Sequence, residues 1–178
     1  MKRGLRKFVL SLHITFAVGW LGAVAGFVAL AIVGLKSQDP QIVGSAYLGM
    51  ELITRFVILP LSFAPLITGP ILSLGTPWGL LRHYWILVKL LITVLSTIVL
   101  VIHLQPISYL SNAAANRTLS SADFPLQIQI VVASTVALIA LLVANILAVY
   151  KPKGMTPYGW RKQYEERLQL ESQPEVGR

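Results

Sequence analysis

The sequence contains no cysteine and few charged residues. Its 178 residues include 15 lysines and arginines but only 7 aspartates and glutamates, and 55% of the chain is hydrophobic. The lack of cysteine excludes disulfides, thiolate metal sites and cysteine nucleophiles. The lack of charge leaves too little polar surface for a soluble globular domain. The composition therefore predicts a membrane protein.

Patterns typical of catalysis are also missing. The chain has no phosphate-binding glycine loop, no paired carboxylates at useful spacing and no Ser-His-Asp set that a membrane topology could assemble. The three histidines, His13, His83 and His103, are divided between the two sides of the predicted membrane, so they cannot supply the four imidazoles of a two-haem b-type cytochrome. We therefore do not predict an enzyme.

Four apolar stretches are each long enough to span a bilayer, which takes about 20 apolar residues. They cover residues 8–35, 46–74, 85–104 and 126–149. Residues 1–150 are thus expected to form one all-α domain, a polytopic transmembrane four-helix bundle. Residues 151–178 are expected to form a cytoplasmic tail, whose mixed-charge run favours a short interfacial helix.

The basic residues indicate the orientation of this bundle. They precede the first stretch, occur in the loop after the second and follow the fourth, whereas the other two loops are almost neutral. Basic residues favour the cytoplasmic side, so both termini are placed there, in a bacterial cytoplasmic (inner) membrane. The same distribution explains the net charge of +8 without nucleic acid. The predicted partner is the lipid bilayer.

Three polar residues are expected at one depth near the cytoplasmic boundary. His13, Lys89 and Asn145 each lie four or five residues inside an apolar stretch, or about 6–8 Å at the rise of an α-helix. Facing inward, they would form a compact ligand site, to which Ser73 is a candidate addition. The alternatives are a lysine that extends to the headgroups, a packed histidine and a helix-to-helix hydrogen bond from the asparagine.

A second polar cluster is expected at the external side. Glu51 and Arg55 are four residues apart and share a helix face, and His103 lies near the same boundary. A salt bridge that caps the bundle is one interpretation. An external site for an anion or a headgroup is the other.

Proline and glycine distinguish the first two stretches. Pro60, Pro65 and Pro70 predict a kinked or locally unwound second helix. Gly22 and Gly26 have the spacing that allows close helix approach, either within the bundle or in a homo-oligomer. Beside Trp20, the same smooth surface could accommodate a flat cofactor.

Short motifs give a family resemblance over about the first 105 residues. LHI at 12–14 with Trp20, and WILVKL at 85–90, resemble the signatures of HemJ-type protoporphyrinogen oxidases and the related copper-resistance D-like membrane proteins. TRF at 54–56 and LGTPWGLLRHYW at 74–85 resemble a small bacterial integral membrane family of unknown function with four predicted spans.

The first resemblance implies a bundle that binds haem b. His13 would supply the axial nitrogen to the metal and Lys89 would lie close to the cofactor. HemJ-type proteins have a second histidine where this chain has Leu87, and His83 is the candidate substitute.

Three functions remain open from the sequence. The preferred one is an accessory or small-ligand-binding module, in which case a membrane-protein partner is expected. The alternatives are a b-type haem protein in electron transfer or porphyrin metabolism, and a subunit of a transporter or channel.

Overall fold

The computed structural model describes residues 3–75, 80–152 and 154–171, and within these ranges the secondary structure is almost entirely helical. Four helical segments in this part of the chain are long and apolar enough to cross a membrane, so the chain is a multi-pass membrane protein. They are Arg3–Lys36, Pro40–Leu74, Tyr84–Ala115 and Ser121–Tyr150. The TPWG portion of the 74–85 motif and the end of the tail lie outside the described residues.

Helix α1 is Arg3–Lys36, and α2 is Pro40–Ile53. The side chain of Asp39 caps α2 by accepting a hydrogen bond from the Gln41 N–H at 2.8 Å, and Pro40 occupies the first turn, where a missing donor is tolerated. Because of this cap the second span begins six residues before the predicted start at residue 46.

The second span is irregular at one place. A π-helical segment, Thr54–Ile58, joins α2 to α3, which is Leu59–Leu74. In this segment, called the π turn below, the Leu59 N–H bonds to the Thr54 carbonyl, five residues back. The wider turn lies directly before Pro60, which cannot donate to the ladder. Pro65 and Pro70 lie inside α3, which continues through both.

Helix α4 is Tyr84–Ala115, and α5 is Phe124–Tyr150. α4 continues through Pro106 and ends eleven residues beyond the predicted end at residue 104. The extension is buried at Leu110, Ser111 and Ala114, so packing explains why it stays helical. Tyr109 then donates to Asp123 at 2.9 Å and ties the extension to the start of α5.

The long helices pack against one another. α1 contacts α2, α3 and α5, and α4 contacts the same three helices. We call the end that carries Arg3, Leu74, Tyr84 and Tyr150 the tail end, and the opposite end, where the 37–39 and 116–120 connections lie, the loop end. The largest fully buried side chains are Tyr47, Met50 and Leu110 of the loop-end half, Thr54 of the π turn and Ser62 of α3, each at most 2% exposed.

The tail folds back onto the tail end. Helix α6 is Pro157–Glu171. Thr156 precedes it, and its hydroxyl accepts from the Gly159 N–H at 3.0 Å and donates to the Leu81 carbonyl at 2.6 Å. Met155 forms an isolated antiparallel bridge with His83, and Arg82 pairs with Glu166. The tail is therefore fastened to the connection between α3 and α4.

Candidate functional site

A large cavity opens between α1, α3, α4 and α5 at the tail end, with a volume of about 790 Å³. Most of the side chains around it are apolar. Its charged lining residues are Arg6, Lys89 and Lys151, and no aspartate or glutamate of the described chain lines it. This tail-end cavity is therefore an apolar compartment with positive charge.

His13 and Lys89 meet in the wall of this cavity. The Lys89 ammonium lies 3.2 Å from Nε2 of His13, and Nδ1 of the same ring lies 2.7 Å from the Thr68 hydroxyl. The Thr68 hydroxyl gives its single hydrogen to the Ala64 carbonyl, at 2.8 Å, so it accepts from Nδ1–H. An ammonium only donates, so Nε2 accepts from Lys89. The contacts thus assign a neutral imidazole with its hydrogen on Nδ1.

Local sequence explains how three helices bring these groups together. Gly69 faces the imidazole, and a Cβ at that position would lie 3.5 Å from Cε1 of His13. α3 can therefore approach the ring closely, with Thr68 beside it. Lys89 lies in the second turn of α4, and His13 is only 8% exposed. The ammonium thus enters the cavity wall from a neighbouring helix.

Asn145 and Ser73 line the same cavity. Asn145 donates through Nδ2 to the Leu141 carbonyl one turn earlier, at 2.8 Å. That bond uses one of the two amide hydrogens, and the amide oxygen remains an acceptor. The structure thus brings the predicted polar residues of α1, α3, α4 and α5 to one compartment, in which His13 and Lys89 are in hydrogen-bond contact.

His83 is placed differently. It precedes α4 with extended backbone angles and pairs with Met155 of the tail. It does not line the tail-end cavity, in which His13 is the only histidine of the described chain. The predicted substitution of His83 for a second haem ligand is therefore not supported by its position.

The geometry of His13 can be compared with the demands of haem. An axial imidazole ligates through the lone pair of one ring nitrogen. Nδ1 carries the hydrogen given to Thr68, and the Nε2 lone pair accepts from Lys89. With these contacts in place, neither ring nitrogen of His13 presents a free lone pair to a haem iron.

The Glu51 and Arg55 cluster lies near the loop end. Their side chains form an ion pair at 2.9 Å, and the Ser108 hydroxyl donates to Glu51 at 2.8 Å and accepts from Arg55 at 2.7 Å. His103 is not hydrogen-bonded to either of them, since its Nδ1 bonds to the Val99 carbonyl at 2.7 Å. The pair thus fastens α2 and the π turn to α4, and Ser108 takes the place predicted for the histidine.

Trp20 and His103 line a second, smaller cavity of about 60 Å³ between α1, α4 and α5, which we call the middle cavity. Trp20 is 2% exposed and contributes to the apolar core. It does not line the tail-end cavity to which the predicted cofactor site belongs. Two residues that the sequence assigned to separate sites therefore share one compartment.

The predicted site missed two cations that line the tail-end cavity, Arg6 and Lys151, and the threonine that bonds to His13, Thr68. Arg6 and Lys151 had served only to orient the helices, because they lie at the ends of apolar stretches. Thr68 is six residues before the end of α3, or about 9 Å by helix rise, close to the depth of His13 and Lys89. Counting depth for hydroxyl residues as well would have found it.

Searches against protein-family models, curated proteins and solved structures found no match to the chain. The resemblances of its short motifs therefore remain predictions.

Proposed function

We propose that this protein binds a small amphipathic anion in the tail-end cavity. The observation that carries the proposal is the combination of apolar walls with Arg6, Lys89 and Lys151 and without a carboxylate among the described lining residues. Apolar walls with a few convergent polar groups are typical of ligand sites. An acyl chain or a ring system would occupy the apolar part, and a carboxylate or phosphate would lie near Lys89.

The side chains around Lys89 suit this role. One of its three hydrogens is given to His13 at 3.2 Å, which leaves two for oxygen atoms of a ligand. His13 is itself held by Thr68 at 2.7 Å. The ammonium is therefore oriented before the ligand arrives, which reduces the entropy lost on binding.

The proposed orientation places this cavity in the cytoplasmic leaflet of a bacterial inner membrane. The two neutral connections are at the loop end, whereas the described basic residues beside the spans are concentrated at the tail end, namely Arg3, Arg6, Lys7, Arg82, Lys151, Arg161 and Lys162. This asymmetry supports a four-helix bundle with both termini in the cytoplasm. The ligand would then enter from the leaflet that contacts the cytoplasm.

Binding of oleate tests the proposal directly. The full chain in zwitterionic nanodiscs is titrated with oleate, with oleyl alcohol and with phosphatidic acid, and bound ligand is counted by native mass spectrometry. Oleate should bind more tightly than the alcohol. Lys89→Met should weaken oleate binding at least about tenfold, because a charge-assisted hydrogen bond contributes ~1.5–3 kcal/mol. A comparison of oleate with phosphatidic acid distinguishes a free carboxylate from a lipid headgroup as the source of the anion.

Two variants control for indirect effects. Lys89→Arg keeps the charge and should retain most of the binding. Arg55→Gln removes a cation near the loop end, outside the cavity, and should leave oleate binding unchanged. Equal binding of oleate and oleyl alcohol, or binding that survives Lys89→Met in a folded protein, would contradict the proposal.

The haem alternative predicts a different result in the same preparation. A Soret band in protein from haem-replete cells that disappears in His13→Ala would overturn the proposed ligand and require His13 to leave Lys89. A colourless protein that binds oleate would support the amphipathic anion.

A further inference from the structure

The middle cavity contains a buried hydrogen-bond donor. Trp20 lies in the wall of this cavity, and its Nε1–H is buried without a hydrogen-bond partner in the part of the chain that the structure describes. An indole N–H is a donor only. Leaving such a group unpaired costs about 1–3 kcal/mol, so an acceptor is expected beside Trp20.

The same cavity contains a buried acceptor. Nδ1 of His103 bonds to the Val99 carbonyl at 2.7 Å. A carbonyl only accepts, so Nδ1 carries a hydrogen, and in the neutral form of the ring Nε2 then carries the lone pair. Nε2 is also buried without a partner among the described residues. The cavity thus has a donor on α1 and an acceptor on α4 that no side chain of the described chain satisfies.

A hydroxyl group has the chemistry that these two atoms lack, since it accepts one hydrogen bond and donates another. We propose that the middle cavity is a binding site for hydroxyl groups, which accept from Trp20 Nε1–H and donate to His103 Nε2. Ser96 and Ser134 also line the cavity and add polar atoms to its otherwise apolar wall. This site is separate from the tail-end cavity and does not depend on the proposed anion.

The size of the cavity limits what can bind. Its volume of about 60 Å³, against about 790 Å³ for the tail-end cavity, suits small molecules such as water. A buried water needs two to four polar partners, and the side chains named above provide them. A short membrane-dissolved alcohol offers the same hydroxyl from a different source.

Nuclear magnetic resonance can detect the hydroxyl at the indole. The full chain is labelled with ¹⁵N-tryptophan and ¹⁵N-histidine in nanodiscs, and Trp20→Phe identifies the Trp20 signal among the four indoles. Magnetisation transfer from water to the indole hydrogen is then measured, with the 64% exposed Trp160 as a solvent-contacting reference. We expect transfer from water to Trp20 although that residue is only 2% exposed. A second titration with ethanol measures transfer from its methyl hydrogens.

Variants of His103 test the acceptor. His103→Leu should abolish most of the transfer to Trp20, and His103→Gln, which keeps an acceptor, should preserve part of it. Ile102→Leu changes the adjacent, 64% exposed side chain and should have no effect. In Trp20→Phe, the Nε2 chemical shift of His103 should move because its hydroxyl partner is less well held.

The origin of the magnetisation transfer distinguishes water from a membrane-dissolved alcohol as the source of the hydroxyl. Transfer from water without ethanol identifies water as the ligand, and transfer seen only from ethanol identifies a membrane-dissolved alcohol. Absence of both at Trp20, together with an unchanged His103 spectrum in Trp20→Phe, would overturn the site. Tryptophan fluorescence and thermal unfolding establish that each variant is folded.

Discussion

The two ends of the helix assembly differ in packing although they are built from the same apolar helices. Near the loop end, Tyr47, Met50 and Leu110 are at most 2% exposed. A Cβ on Gly34 would approach the Tyr47 ring to 3.0 Å, so α1 and α2 are in very close contact there. At the tail end the helices separate around about 790 Å³. Hydrophobicity alone therefore does not determine which part of this protein is tightly packed and which part contains a cavity.

Side-chain shape explains the difference. Lipid is as apolar as leucine, so helices in a membrane associate through packing and hydrogen bonds. Near the loop end, a tyrosine lies against a glycine and fills the space between two helices. At the tail end, Pro65 and Gly69 form part of the cavity wall, and polar side chains join the helices. The tail-end cavity can thus persist although no apolar side chain fills it.

Truncation of a leucine should give the largest difference in unfolding free energy between the two ends. Leu110→Ala removes a side chain that is 0% exposed, so it should lower the unfolding free energy by about 2–5 kcal/mol. Leu90→Ala trims a wall of the tail-end cavity and should lower it much less, because this side chain already borders open space. Unfolding in mixed micelles measures both. Equal losses would show that the two ends are packed alike.

A pair of glycine substitutions tests how the tail is fastened to the tail end. A Cβ on Gly159 would lie 2.5 Å from the backbone oxygen of Arg82, whereas a Cβ on Gly154 would lie 3.8 Å from Tyr84. Gly159→Ala should therefore weaken docking by about 1–3 kcal/mol, and Gly154→Ala should be tolerated. Hydrogen exchange of residues 154–171 reports docking. The prediction fails if both variants exchange at the same rate.

A double-mutant cycle measures the polar contact that joins α1 to α4. His13→Phe and Lys89→Met should be non-additive in unfolding free energy by about 0.5–2 kcal/mol, the range for hydrogen bonds between membrane helices and for contacting residues. His13→Phe with Asn145→Leu is the control, since the described structure has no hydrogen bond between these residues. If the losses of unfolding free energy from His13→Phe and Lys89→Met are additive, His13 does not orient Lys89.

The smallest effect is expected for the ion pair near the loop end. The Arg55 side chain is 56% exposed and that of Glu51 18% exposed, so Arg55→Gln should change the unfolding free energy by no more than about 1 kcal/mol, and less at high salt. Thermal unfolding at two salt concentrations measures this. A larger loss that is independent of salt would indicate that the pair is part of the tightly packed half.

The sequence was sufficient for the four spans and for the neighbourhood of His13 and Lys89. The spans follow from the lengths of the apolar stretches, and helix rise gives depth without knowledge of neighbours. Depth does not determine which residues share a cavity. His103 was grouped with Glu51 by depth, but its ring lines the middle cavity with Trp20. The rotation of each helix about its axis decides this, and rotation depends on packing.

The docking of the tail onto the tail end could not be predicted for a similar reason. Its docking depends on backbone atoms of the connection between α3 and α4, to which Thr156 bonds through both its N–H and its hydroxyl. Backbone contacts of this kind carry no composition signal. The mixed charges of the tail indicated only a helix at the membrane surface.

The π turn has a consequence for the register of the whole second span. A π turn contains about one residue more than an α turn, and one residue rotates a helix by about 100°. The face of α3 that carries Thr68 and Gly69 is therefore turned by that angle from where a continuous α2 would place it. Removal of one residue from Thr54–Ile58 would restore an ordinary ladder and swing both residues away from His13. The π turn thus acts as a single-residue insertion that aligns α3 with the cavity.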